Sequence, residues 1–140
     1  MFDRILIPTD GSEQANAAIE YGVALAKLSD ADVHALYVIE TRAQYIITVD
    51  IDDKAMREHE EWGEETVKSV VQRAEEEGLA GKGAVTKGKI AQEIVEYAQK
   101  NNIDHIVMGR RGQGAIGRYL GTTAEKVVHM SEKPVTIVEG

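Results

Sequence analysis

Short unbroken apolar runs alternate with helical stripes along this chain, and no other feature narrows its fold as much. Arg4-Ile5-Leu6-Ile7-Pro8 is one such run. Continuous apolar character marks a strand buried on both faces of a parallel sheet, whereas a strand with one wet face alternates. Ala15, Ala18, Ile19, Gly22, Val23 and Ala26 then recur at helical spacing, with Ser12 ahead of them as a cap. Val33 to Ile39 reads as a second strand. From Lys54 to about Gly78, Met56, His59, Trp62, Thr66, Val67, Val70, Val71 and Ala74 trace a second helix, with glycine as its stop. Gly83 to Thr86 is a weak third strand. Ala91, Ile94, Val95 and Ala98 mark a third helix ending near Asn101-Asn102. Ile103 to Met108 holds a fourth strand, Thr122 to Met130 is a fourth helix, and Val135 to Val138 is a fifth strand after Pro134. Tyr45-Ile46-Ile47-Thr48-Val49 has strand propensity but sits between a strand and a helix, so residues 40–53 are read as a loop or flap. The order βαβαβαβαβ predicts an α/β fold with a parallel sheet and helices on both faces.

The 140 residues suit one domain, 1–140, with a substantial core. A formal net charge of -8 repels phosphate backbones and anionic lipid, so neither nucleic acid nor a membrane is expected as a partner. The chain has no cysteine, which removes disulfides, thiolate nucleophiles and zinc-thiolate sites. No apolar run approaches the ~18 residues of a membrane span. Met1 to Ile7 runs straight into a strand and lacks the form of a signal peptide, so the chain is read as cytoplasmic.

Two loops leave strand carboxyl ends with unusual chemistry, and in open parallel sheets ligands bind beyond those ends where the strand order reverses. The first is Pro8-Thr9-Asp10-Gly11-Ser12. Asp10 there either receives hydrogen bonds from ligand hydroxyls, holds a metal through water, or simply closes a turn with Ser12 as N-cap. The second runs from Gly109 to Thr123 and packs five glycines into the thirteen residues 109–121. Such a loop lets the backbone approach a ligand and aim N–H groups at it. It ends at a helix N-terminus, which favours an anion, and Arg110, Arg111 and Arg118 add positive charge. Thr122 and Glu125 have capping-box spacing, so the Thr122 hydroxyl either caps the fourth helix or touches a phosphate.

Other motifs fall away. Gly112-Gln113-Gly114-Ala115-Ile116-Gly117 matches G-x-G-x-x-G, but that fingerprint opens the first helix of a Rossmann half, and here only one strand remains. There is no Walker A loop. His34, His59, His105 and His129 lack ligand spacing and read as structural. Trp62, the single tryptophan, lies on the helical stripe and reads as packing.

The ordered segments together resemble the universal stress protein family. They are Ile5-Leu6-Ile7-Pro8-Thr9-Asp10-Gly11-Ser12, Leu36-Tyr37-Val38-Ile39, Gly88 ahead of Ile94 and Ala98, Asp104-His105-Ile106-Val107-Met108-Gly109, Gly121-Thr122-Thr123-Ala124-Glu125-Lys126-Val127-Val128, and Pro134-Val135-Thr136-Ile137-Val138. The resemblance implies a five-stranded parallel sheet in the order 3-2-1-4-5, doubly wound, of the adenine nucleotide alpha-hydrolase type. It implies ATP, with Mg2+ or Mn2+ carried by the nucleotide, between the ends of strands 1 and 4. Gly109, Gly112, Gly121 and Thr122 would surround the phosphates, with Thr123 beside them. Asp10 would lie near the nucleoside, the backbone of Val38 would read the adenine edge, and Pro8, Thr9, Met108 and Arg111 would line the pocket. ATP-binding members follow G-x2-G-x9-G-[ST]. This chain has eight residues between Gly112 and Gly121, and Ala124 where a second hydroxyl is common.

The implied function is a nucleotide-dependent regulatory module. The alternatives are a dimeric interaction protein of the same fold with an empty pocket, and a slow ATP hydrolase. Phosphoryl transfer needs a group to position water and groups to stabilise charge, and no base stands at a useful place, so a fast enzyme is not expected. The last strand is short and apolar and would form a sheet edge in the order 3-2-1-4-5, which invites pairing into a homodimer through 135–138.

Overall fold

The structure, a computed structural model, describes residues 2–41, 53–110 and 120–139. The flap reading for 40–53 falls mostly on 42–52 and lies outside the described residues. The strands are β1 (Arg4–Pro8), β2 (Asp32–Glu40), β3 (Gly81–Gly88), β4 (His105–Gly109) and β5 (Val135–Val138). The helices are α1 (Ala15–Ser29), α2 (Asp53–Glu76), α3 (Ile90–Lys100) and α4 (Thr122–Met130). The strands form a parallel sheet in the order β3-β2-β1-β4-β5, as the resemblance implies.

The unbroken apolar runs fill two cores at once. Ile5 and Ile7 of β1, Val33 and Ala35 of β2 and Val107 of β4 face α1 and α2, where they meet Ile19, Val23, Val67, Val70 and Ala74. The intervening residues Leu6, Leu36, Ile106 and Met108 face α3 and α4, where they meet Ile94, Ala98, Ala124 and Val127. Side chains alternate across a strand, so a central strand wet on neither face is apolar at nearly every position, the buried His34 and His105 excepted. Ile5, Leu6, Ile7, Ile106 and Val107 are all fully buried.

Some boundaries differ from the sequence reading. β3 extends beyond Gly83–Thr86 at both ends. It is an edge strand with exposed Lys82 and Lys87, so its outer side needs no apolar signal. β4 starts at His105, while Ile103 is buried in the turn before it. α2 starts at Asp53, and its buried residues begin only at Gly63. Trp62 is 50% exposed and lies outside the buried core, and its packing is against Gly11.

Candidate functional site

The central strands separate at their carboxyl ends. The β1–β4 register holds Ile5 opposite His105 and Leu6 opposite Ile106, and no later pair is bridged. On the other side β1 stays paired with β2 as far as Pro8 opposite Leu36, and the Thr9 N–H donates to the Leu36 carbonyl at 2.9 Å. Successive backbone groups along a strand point to alternate sides. The N–H and C=O of Val38 therefore point the same way as the Leu36 carbonyl, into the space above the end of β1. Val38 pairs with Thr86 in register, but no β1 residue stands opposite it.

At the end of β1, the acidic turn is closed locally. The Ser12 N–H donates to Asp10 Oδ1 at 2.9 Å, the Gly11 N–H to Thr9 Oγ1 at 3.2 Å, and the Ala15 N–H to Ser12 Oγ at 3.3 Å. The turn is thus realised, but the N-cap of α1 is Gln14, without a side-chain cap, and not Ser12; Thr9 and Ser12 are buried and Asp10 is exposed at the strand end. Gly11 takes a φ of +78°, a conformation that costs a side-chain-bearing residue ~1 kcal/mol or more. Burial, and after it the Asp10 carboxylate, push the Tyr37 phenol above its ordinary pKa.

At the end of β4, Met108 is buried against the α3/α4 core and Gly109 pairs with Val138. The Arg110 N–H donates to the Val138 carbonyl at 2.9 Å, and the Gly121 N–H donates to the Arg110 carbonyl at 2.8 Å. That second bond joins the two ends of the glycine loop at the top of β4. Arg110 was expected to add positive charge for a ligand, but its Nη1 is paired with Glu139 at 2.9 Å. Arg111, Arg118 and Gly112 lie outside the described residues. The capping-box reading is corrected: Gly121 is the N-cap of α4, Thr122 is the exposed first helical residue, and no described side chain caps the helix. The first N–H groups of a helix have no intrahelical partner, so those of α4 are left for another acceptor.

The structure thus brings Pro8, Thr9, Asp10, Val38, Met108, Gly109, Gly121, Thr122 and Thr123 to one end of the sheet. Sequence reasoning missed Trp62, Thr66 and Tyr37, which border the acidic turn from the α2 side. A Cβ added to Gly11 would lie 2.9 Å from Trp62 Cζ2 and 3.1 Å from Thr66 Oγ1. The signal in the sequence was Gly63, a glycine in a helix interior, where it costs about 1 kcal/mol unless a close approach requires it.

The histidines are structural as read where the structure shows their partners. His34 Nδ1 and the Tyr97 hydroxyl lie 2.8 Å apart, and His105 Nε2 and Thr136 Oγ1 lie 2.6 Å apart. Among the described residues no group of three or more His, Asp or Glu side chains could hold a metal ion, and no helix is long and apolar enough to cross a membrane. A shallow groove of about 440 Å³ lies between α2 and β3, lined by Glu64, Val67, Lys68, Val71 and Gly83 among others, away from the β1/β4 ends.

A doubly wound parallel sheet whose order reverses between β1 and β4 belongs to the α/β proteins that take ligands beyond their strand ends. A family model described as the universal stress protein family matches residues 1–139. Universal stress protein MJ0531 of Methanocaldococcus jannaschii is 35% identical over 141 residues, covering 99% of this chain and 83% of that protein. Universal stress protein MJ0577 of the same organism is 28% identical over 155 residues, and its solved structure superposes with a TM-score of 0.88 over 100% of this chain and 97% of that one. The universal stress protein of Archaeoglobus fulgidus, solved in complex with dAMP, shares the fold at 19% identity, with a TM-score of 0.74 and 98% of each chain covered. The chain belongs to the universal stress protein family.

Proposed function

We propose that this protein is a cytoplasmic regulatory module that binds ATP beyond the carboxyl ends of β1 and β4, and that it works as a homodimer joined through β5. The observation that carries the reading is the amino end of α4. It has no described side-chain cap, and the Gly121–Arg110 bond ties it to the top of β4 beside the point where β1 and β4 separate. Free N–H groups at a helix N-terminus favour phosphate.

The remaining residues fit the rest of the nucleotide. Val38 offers an N–H and a C=O side by side, which complement N1 and the exocyclic amine of adenine. Guanine presents the opposite donor and acceptor there. Asp10, exposed at the end of β1, contacts the sugar or a water on a Mg2+ or Mn2+ ion carried with the phosphates. The free N–H groups of Thr122 and Thr123 face the phosphates, Gly109, Gly112 and Gly121 surround them, and Pro8, Thr9, Met108 and Arg111 line the pocket. An adenine nucleotide, dAMP, is the ligand named for the Archaeoglobus fulgidus structure of the same fold.

The test is a thermal melt with magnesium and ATP, GTP or no nucleotide, together with calorimetric titration. A ligand at 100 times its Kd stabilises by about 2.7 kcal/mol, which a melt detects. ATP should shift the wild type and GTP should not. Asp10→Ala should weaken ATP and adenosine together, while Gly112→Val should abolish ATP binding. Hydrolysis should stay below about one turnover per second, the low end of ordinary enzymes. If millimolar ATP moves neither the melt nor the titration and no nucleotide co-purifies, the shortened loop has lost the site and the module is an empty-pocket interaction protein.

A further inference from the structure

The acidic turn is held from outside the strands. A Cβ on Gly11 would stand 2.9 Å from Trp62 Cζ2, 3.1 Å from Trp62 Nε1 and 3.1 Å from Thr66 Oγ1. The indole and the threonine hydroxyl therefore lie directly on the bare Cα of the residue after Asp10. One residue along α2, the place of a Cβ on Gly63 is taken by the Tyr37 ring, whose nearest atom is 2.7 Å away. Two glycines, one on the turn and one on the helix, let α2 come down onto β2 and the turn at a single point. The raised Tyr37 pKa, with the Asp10 carboxylate as its second cause, places Asp10 beside the same cluster.

That point is also where α2 changes character. Its buried residues are Gly63, Val67, Val70 and Ala74. None of the residues from Asp53 to Trp62 is buried, a rise of about 15 Å. α2 follows β2, so this stretch lies toward the carboxyl ends of the strands, at the end of the sheet where ATP would sit. An ion pair between Glu60 and Lys87 at 2.6 Å ties it to the end of β3. Both groups are well exposed, and exposed pairs contribute little. Trp62 joins this stretch to the turn after β1, as the Glu60–Lys87 pair joins it to β3.

We infer that Trp62 is a positioning residue for the nucleotide site: it clamps the Asp10-Gly11-Ser12 turn, so that occupation of the site is transmitted to the first half of α2, where no residue is buried. The inference rests on the ATP reading above. A ligand held by Asp10 restrains the turn, the turn is in van der Waals contact with the indole, and the indole is carried on the same helix as the first turns of α2. The tryptophan is unique in the chain, so its fluorescence reports that contact without labelling.

The experiment combines calorimetry, fluorescence and amide exchange on the full chain with ATP and magnesium. In the wild type, ATP should change Trp62 emission with the Kd found by calorimetry, and should slow exchange across residues 54–61. Trp62→Ala should bind ATP about tenfold more weakly, which is about 1.4 kcal/mol, and should lose the exchange effect. Trp62→Phe, which keeps an aromatic ring against Gly11, should restore both. Gly11→Ala should shift the emission even without nucleotide, because its Cβ displaces the indole. Half-exposed Trp62 makes these variants foldable, and a melt confirms that. Wild-type ATP binding with unchanged emission and exchange, or with Trp62→Ala binding as tightly as the parent, overturns the clamp and leaves the ATP reading standing. Calorimetry that finds no ATP binding at all overturns the ATP reading, and the clamp with it.

Discussion

Replacing Gly22 by alanine sets helix propensity directly against packing. Gly22 lies inside α1, where alanine is favoured over glycine by about 1 kcal/mol on propensity alone. Its Cα rests on β1, just below the acidic turn. An added Cβ would stand 2.6 Å from Ile7 Cδ1, 2.9 Å from Ile7 Cγ1 and 3.5 Å from Val107 Cβ. Carbon atoms are comfortable at about 3.5–4.0 Å, so the first two contacts are strongly repulsive. Ile7 and Val107 are both 0% exposed, and an interior at crystal-like density gives them nowhere to retreat. Overpacking of this kind costs about 1–3 kcal/mol. Packing therefore wins, and Gly22→Ala should lose about 1 kcal/mol net, lowering Tm by roughly 3–5 °C in a domain of this size. Ile7→Val removes Cδ1, the closest atom, and alone should lose about 0.5–1.5 kcal/mol. In the double variant the alanine methyl takes the vacated space, so the losses should fall short of additivity by about 1 kcal/mol. Urea unfolding of the four proteins followed by far-ultraviolet circular dichroism measures the cycle. The reasoning fails if Gly22→Ala is more stable than its parent, or if the double loss equals the sum within about 0.5 kcal/mol.

Two further outcomes follow from the edge strand and the buried imidazoles. The Ile106 N–H donates to the Pro134 carbonyl and the Arg110 N–H to the Val138 carbonyl, so the N–H of Ile137, one place out of step, points away from β4. Proline is tolerated at such outward positions of an edge strand but cannot donate there. Ile137→Pro should therefore stay folded, at some cost in stability, and run as a monomer in light scattering where the wild type runs as a dimer; a dimeric variant would remove β5 from the interface. Burial, and for His34 also Lys82, holds the His34 and His105 imidazoles below their ordinary pKa near 6.5. On acidification the unfolded chain then takes up these protons first. The stability they allow is whole above about pH 6.5 and is lost as pH falls through the lower folded values. Tm should fall between about pH 7.5 and pH 5 more steeply in the parent than in a His34→Gln, His105→Gln double variant, and parallel slopes would refute the assignment.

The central strands were legible because burial on both faces writes itself into every residue, as in Ile5-Leu6-Ile7. β3 was read too short because it sits at an edge. Its Gly81 and Gly83 make room for Val71 and Val67 of α2, and its lysines face water, so neither composition nor alternation marks it. The place of Trp62 against the turn, outside the core, was hidden for a different reason. A helical stripe records which side of a helix faces the protein but not how far along its axis the sheet extends. Met56, His59 and Trp62 continue the stripe of Val67, Val70 and Ala74 toward the amino end, where no residue of α2 before Gly63 is buried. The cap of α4 was misread because Thr122 and Glu125 have the right spacing, while Gly121, anchored through Arg110, takes the cap position one residue earlier.

The site was half legible for a reason rooted in charge. An acidic chain of formal net charge -8 is a poor place for a polyanion if charges are counted over the whole molecule. Screening at physiological salt acts over about 8 Å, so the dispersed carboxylates matter less than the groups in contact. The arginines drew the eye to the glycine loop, yet Arg110 is neutralised by Glu139. In the proposed site, the attraction for phosphate available among the described residues would instead be carried by neutral backbone: the N–H groups at the start of α4 and at the end of β4. A backbone donor leaves no letter in the sequence except the glycine that uncovers it. Gly109 and Gly121 are therefore the readable trace of the proposed anion site, and Gly11 and Gly63 are the readable trace of the contact between the acidic turn and α2. The side chains that complete that contact, Trp62 and Tyr37, look like ordinary core residues until the height of the sheet is known.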